Sequence, residues 1–127
     1  SIHAILEARH GDVEKAYEEW RRSWHDFTEA PFLLFSEKRR KVVTYFTTGA
    51  AGSLQAVLFG FGGIHLGKSP PADAAWKLPL KNGSWLYGTK GRLPSGWKSV
   101  TIRGLQVLGK RYDLRVDADG SRLTTER

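Results

Sequence analysis

The sequence contains no cysteine. A disulfide framework and a thiolate metal site are therefore both excluded. It also lacks a long unbroken apolar run. The longest candidate, Ala50 to Leu66, is interrupted by Gly52, Ser53, Gln55, Gly60, Gly62, Gly63 and His65, which leaves it too short and too polar to span a membrane. Ser1 opens directly into an apolar helical pattern, so no signal peptide is expected. The protein reads as soluble, and its compartment stays open between cytoplasmic and secreted. His3, His10, His25 and His65 show no metal-ligand spacing. No strand feeds a G-x-G-x-x-G among Gly49, Gly52, Gly60, Gly62 and Gly63, so the pattern implies neither a metal nor a cofactor. Acidic residues are the minority, 13 against 20 basic, for a net charge of +7. The excess is spread along the chain and only Lys38-Arg39-Arg40-Lys41 forms a run. A nucleic-acid footprint would be concentrated, so nucleic acid is not expected as a partner.

What is present suits one ordinary domain of 127 residues, 40% apolar, with Trp 5, Phe 6 and Tyr 4 to build a core. Ile2, Ile5 and Leu6 share a face of a short helix over about 1–9, and Gly11 stands where a C-terminal cap belongs. Asp12 is placed to N-cap a second helix, about 12–28. Along it Val13, Ala16, Tyr17, Trp20, Trp24 and Phe27 recur at three- and four-residue steps and form a broad apolar stripe. Pro31 ends the pattern, and two helices joined by a tight Gly-Asp turn make an αα-hairpin. An irregular connector follows, with one possible strand over 42–46. A third helix is expected over about 49–61, capped by Thr47 or Thr48, with Leu54, Val57, Leu58 and Phe61 on one face.

Beyond Leu66 the punctuation changes. Pro70-Pro71, Pro79, Asn82-Gly83, Lys90-Gly91 and Pro94-Ser95-Gly96 are turn signals. Ser99 to Arg103, Leu105 to Leu108 and Tyr112 to Val116 have strand character, and Asp119-Gly120 reads as a hairpin turn before Ser121 to Thr124. The fold class is α+β, helices followed by a small antiparallel sheet region. The Trp20, Trp24 and Phe27 stripe is large for so few helices, and the expectation is that it packs on helices outside the chain.

Several segments together resemble glycoside hydrolase family 65. They are Ser1 to Ala8, Gly11 to Tyr17, Pro31-Phe32 with Phe35-Ser36-Glu37, Tyr45 to Gly63, and Leu93 to Val100. Tyr45 to Gly63 is the most specific of them. Ala51 stands where the family usually has glycine, Ser53 where a larger apolar residue is usual, and 68–92 aligns poorly. The resemblance points to the hydrolase subgroup, which includes trehalase-like, kojibiose-hydrolysing and glucosylgalactosyl-hydroxylysine glucosidases. It implies that 1–66 are the last helices of an (α/α)6 barrel and 67–127 a C-terminal β-domain. The implied partners are an α-glucoside substrate and the rest of the barrel polypeptide.

The family inverts configuration at the anomeric carbon. That chemistry needs a general acid on the leaving oxygen and a general base on water at the opposite face, with the carboxyls about 6.5–9.5 Å apart. The resemblance puts the acid on a barrel loop outside this chain, so the isolated chain is expected to be inactive. It puts the base within the chain, and Glu37 is the candidate. Glu37 follows the apolar run Phe32 to Phe35, precedes the Thr48-Gly49 helix start, and has Lys38, Arg39 and Arg40 beside it to favour its charged form. A loop carboxylate paired with that basic run is the structural alternative, and Glu29 is the nearest rival. Thr48, Gly49 and Gln55 are the candidate substrate contacts; capping by Thr48 and a buried structural amide for Gln55 are the competing uses. Glu7, Glu14, Glu18 and Glu19 read as surface charges. Trp76, Trp85 and Trp97 suit either sugar stacking or a β-domain core. Two further functions fit the same residues: a phosphorylase of the same family, in which phosphate replaces water, and a non-catalytic carbohydrate-binding or accessory domain.

Overall fold

The computed structural model describes residues 1–30, 34–39 and 46–125. Pro31 and most of the possible strand over 42–46 lie outside the described residues; Phe46 lies inside them and is not in a strand.

The αα-hairpin forms as its capping residues dictate. Helix α1, Ile2–His10, ends at Gly11, whose φ of 95° an L side chain rarely adopts. Asp12 then caps α2, Val13–His25, with its Oδ1 accepting the Lys15 N–H at 3.1 Å. Lys15 also reaches back to Glu7 at 2.7 Å, joining the two helices. Helix α2 stops three residues before the expected end, because Phe27 N–H turns back to the Trp24 carbonyl at 3.0 Å and the chain leaves into strand β1, Thr28–Glu29.

The buried edge of α1 differs from the expected one. Ala4 is the residue that disappears from solvent, while Ile2 and Leu6 are 69% and 48% exposed. The cause is Gly60. With no side chain there, the chain after α3 approaches until the position of a Cβ would lie 3.5 Å from Ala8 Cβ and 3.6 Å from Ile5 Cα. Ala4, Ala8 and the Ile5 backbone make the contact, and Ile2 and Leu6 face outward.

The third helix is not continuous. Helix α3, Thr47–Gln55, gives way to a π-helical turn, Ala56–Phe61, closed by Gly62 N–H on the Val57 carbonyl at 2.7 Å. The wider turn shifts the side-chain register. Phe61 is fully buried, but Leu54 is 65% exposed instead of sharing its face.

Two three-stranded antiparallel sheets follow. Strands β3 (Ile64–Gly67), β4 (Trp76–Pro79) and β5 (Trp85–Gly88) pair in the order β3-β5-β4. Alternation and turn signals do not predict this sheet, because each strand is only four residues long and two lie within 68–92. Strands β6 (Ser99–Val107), β7 (Lys110–Asp117) and β8 (Gly120–Thr125) form the expected sheet in sequential order. The two stretches read on either side of Gly104 are one strand with a bulge, where Gly104 (φ 69°) donates its N–H to Asp113 Oδ1 at 2.9 Å. Leu108 and Gly109 make the first hairpin turn with φ of 50° and 77°, the pattern of a type I′ turn. In the second hairpin the turn residues are Ala118 and Asp119, and Gly120 is already paired with Asp117. Ile64, Leu114 and Val116 form the core, flanked by Leu58, Trp76, Leu86, Ile102 and Leu123. Each fully buried aliphatic side chain there is worth about 1.5–3 kcal/mol.

The aromatic stripe of α2 finds some partners inside the chain, while Val13, Tyr17, Trp20, Trp24 and Phe27 each stay only half-buried. Trp20 sits 5.6–5.9 Å from the rings of Tyr17, Trp24, Phe61 and Trp97. Its Nε1–H donates to the carbonyl and hydroxyl of Ser53, at 3.1 and 3.0 Å. This accounts for serine at a position where an apolar residue was expected: a half-buried indole donor needs an acceptor. Glu14 is more than a surface charge, since its Oε1 accepts the Ser95 N–H and hydroxyl at 2.6 and 2.8 Å. The loop entering β6 is thus tied to the start of α2, and Trp97 on that loop packs on the helices.

Candidate active-site cleft

The segment carrying Glu37 is anchored on both sides. Strand β2, Leu34–Phe35, pairs antiparallel with β1, Phe35 opposite Thr28 and Leu34 opposite Glu29. Ser36, 2% exposed, donates its N–H to the Phe27 carbonyl at 2.7 Å and accepts the Lys38 N–H on Oγ at 3.3 Å. Phe46 N–H donates to the Phe35 carbonyl at 2.9 Å. Phe46 is also the N-cap of α3, so the same backbone links the strand just before Glu37 to the helix start. Neither threonine caps: Thr47 and Thr48 are inside the first turn, and no side chain caps the helix among the described residues.

A cleft of about 280 Å³ opens here, lined by Ser23 of α2, Phe27 in the turn after it, Phe35, Ser36, Glu37, Phe46 and Gly49. Glu37 is exposed at its rim. Gly49 is required by closeness: a Cβ would stand 2.7 Å from Phe46 Cδ1 and 3.2 Å from Phe35 Cδ1. Two aromatic rings therefore close over the helix start as they do because position 49 has no side chain.

Of the four candidate residues, Glu37 and Gly49 meet in this cleft. Thr48 and Gln55 are exposed on α3, in its first turn and at its last residue, and neither is part of the lining. The buried-amide alternative for Gln55 is overturned by that exposure. Arg39 pairs with Asp26 at 2.7 Å, and no cation pairs with Glu37 among the described residues. Glu29 lies in β1 opposite Leu34. Phe27 belongs to the apolar stripe read from sequence, whereas Ser23, on the last turn of α2, carries no signal in the sequence that marks it as part of the cleft. Ser23 donates its hydroxyl to the Trp20 carbonyl at 2.7 Å, which orients it in the cleft wall. No group of His, Asp and Glu able to hold a metal occurs among the described residues, and no helix among them is long and apolar enough to cross a membrane.

With this geometry in view, similarity to known proteins is informative. A kojibiose hydrolase of Mucilaginibacter mallensis is 32% identical over 112 residues, 88% of this chain and 14% of that protein. A kojibiose hydrolase of Flavobacterium johnsoniae is 32% identical over 114 residues, 90% of this chain and 15% of that protein. The chain matches a C-terminal portion of a family 65-type glycoside hydrolase. A protein-glucosylgalactosylhydroxylysine glucosidase of Dictyostelium discoideum is 25% identical over 114 residues, 90% of this chain and 14% of that protein. The chain thus spans 14–15% of the length of these hydrolases. No family model and no solved structure matches it.

Proposed function

We propose that the chain is the C-terminal part of an inverting α-glucoside hydrolase and that Glu37 is its general base. The observation carrying this reading is the cleft that brings Glu37 beside Gly49, walled by aromatic rings and opening to solvent. In the proposed reaction Glu37 takes a proton from a water molecule as the water oxygen attacks the anomeric carbon. The bond to the leaving oxygen breaks, and an acid supplied by the rest of the enzyme protonates that oxygen. Thr48 and Gln55, exposed along α3, are proposed to contact sugar hydroxyls, with Gly49 contributing its backbone to the cleft lining. Residues 1–66 are proposed to complete an (α/α)6 barrel and 67–127 to form the β-domain after it. The exposed Ile2, Leu6 and Leu54 support the barrel reading, since they are apolar side chains on helices facing away from this chain's own core.

The test is Glu37→Gln in the full-length enzyme, which keeps size and removes basicity. Turnover on an α-glucoside should fall about 10²–10⁴-fold, with substrate affinity little changed. An α-glucosyl fluoride needs less help from the acid but still needs the base, so the variant should stay slow on it. Parental turnover on both substrates removes Glu37 from the mechanism. Strong dependence on added phosphate with little dependence on Glu37 identifies a phosphorylase instead.

A further inference from the structure

A second pocket, of about 290 Å³, lies between the C-terminal end of α1 and the sheet β3-β5-β4, and shares no lining residue with the Glu37 cleft. Its floor is largely glycine backbone. Gly60 brings the π-helical turn against α1, and Gly63 and Gly91 take φ of 64° and 63°. Thr89 N–H donates to the Gly63 carbonyl at 3.1 Å and holds the two segments together.

Around this floor stand Arg9, Lys90 and Arg92, with Asp73 as the carboxylate of the lining. Arg92 donates from Nη1 to the Gly11 carbonyl at 3.2 Å, which fixes the guanidinium at the rim and leaves its other N–H donors unused by that bond. Arg9 and Lys90 have no ion-pair partner among the described residues. His65 is half-buried in the wall and stacks on Tyr87 with ring centroids 5.3 Å apart and planes 13° apart. Burial pushes its imidazole below the ordinary value, and the Arg9 charge adds to that. Three exposed cations therefore line one concavity whose wall carries a half-buried imidazole. Their mutual repulsion is relieved most directly by an oxyanion, which also accepts charge-assisted hydrogen bonds.

We propose that this pocket binds a phosphate group, free or carried on a sugar, at a site separate from the Glu37 cleft. Arg9 and Lys90 supply charge, Arg92 supplies guanidinium N–H donors, and the Thr89 hydroxyl donates from the floor. Bound phosphate reverses the field on His65, so its imidazole becomes easier to protonate and turns into a further donor. Arg9 and His10 face it from α1, Tyr87 from β5, and Asp73, Lys90 and Arg92 from the loops; the three cations among these are what a dianion offsets. The proposal does not depend on the role of Glu37.

The experiment follows the ring signals of the four histidines by NMR in the chain, titrated with inorganic phosphate, with glucose 6-phosphate, and with chloride at matched ionic strength. The expected result is a saturable response of His65 and a rise in its pKa, with His3 and His25, which lie outside the pocket, unmoved. Arg9→Gln with Lys90→Gln should raise the apparent Kd at least about tenfold while leaving the thermal unfolding of the chain unchanged. Tighter binding of glucose 6-phosphate assigns the phosphate to a sugar; equal binding assigns it to the free anion. A parallel, non-saturating response of all four histidines would mean diffuse attraction to a chain of net charge +7, and would overturn the proposal. No response, or undiminished affinity in the double variant, would do the same.

Discussion

Replacing Gly88 with alanine tests how the two sheets are joined. Gly88 is on the central strand β5, opposite both Ile64 and Trp76. A Cβ there would overlap Trp76 Nε1 and Cε2 and stand 2.7 Å from Cζ2. The indole lies across the glycine because nothing occupies that space. From there its Nε1–H donates at 2.9 Å to the hydroxyl of Ser121 on β8, a residue only 7% exposed. Alanine must push the ring aside. Displacement of a packed side chain costs about 1–3 kcal/mol, and loss of the hydrogen bond about 1 kcal/mol. Lower entropy of the unfolded chain returns about 0.4–1 kcal/mol. The net expectation is a loss of about 2 kcal/mol, read as a lower urea midpoint at unchanged m-value. Trp76→Phe in the same background should recover part of it, since a smaller ring without the donor no longer competes for the space, and the two changes should be non-additive. A loss below about 0.5 kcal/mol for Gly88→Ala would refute the account of the ring as locked between β5 and β8.

Further outcomes follow from the same contacts. Trp97→Ala removes rings from Tyr17, Trp20 and Phe61 together and should destabilise the chain by about 2–4 kcal/mol, measured by thermal unfolding. Glu14→Ala frees the Ser95 loop from α2 and should cost about 1 kcal/mol, with faster amide exchange at Ser95 as the local readout. The Asp117 carboxyl is held below the ordinary carboxylate value, first by its hydrogen bond from Arg115 and also by Asp119 N–H and Arg122. The folded state therefore favours the ionised form; that stability is complete above the ordinary carboxylate range and is lost as pH falls through the lowered value. Asp117→Asn should flatten the acid limb of a stability-against-pH curve, and an unchanged limb would remove Asp117 from the account.

The αα-hairpin was legible because its signals are local. Gly11 and Asp12 determine the end of one helix and the start of the next within a few residues. The hairpins of β6, β7 and β8 were legible for the same reason, through alternation and turn residues. The resemblance of Tyr45 to Gly63 to a hydrolase family was also readable from order alone, and the matches to kojibiose hydrolases agree with it. Long-range packing decided the rest. The break of α3 into a π-helical turn leaves no mark in a three-to-four-residue period, because it depends on Phe61 reaching the Trp20 and Trp97 rings. Ser53 looked like a departure until Trp20 was placed against it. Ile2 and Leu6 looked inward by composition, yet Gly60 lets the small face of α1 make the close contact instead. Glu37 and Gly49 were named as candidates from sequence, but their meeting in one cleft rests on three backbone bonds: Ser36 to Phe27, Phe46 to Phe35, and Gly49 to Phe46. Residue types and spacing specify which groups are available and which local turns form; distances between groups far apart in sequence come from which surfaces can approach, and here glycine and the shape of the aromatic rings set that approach.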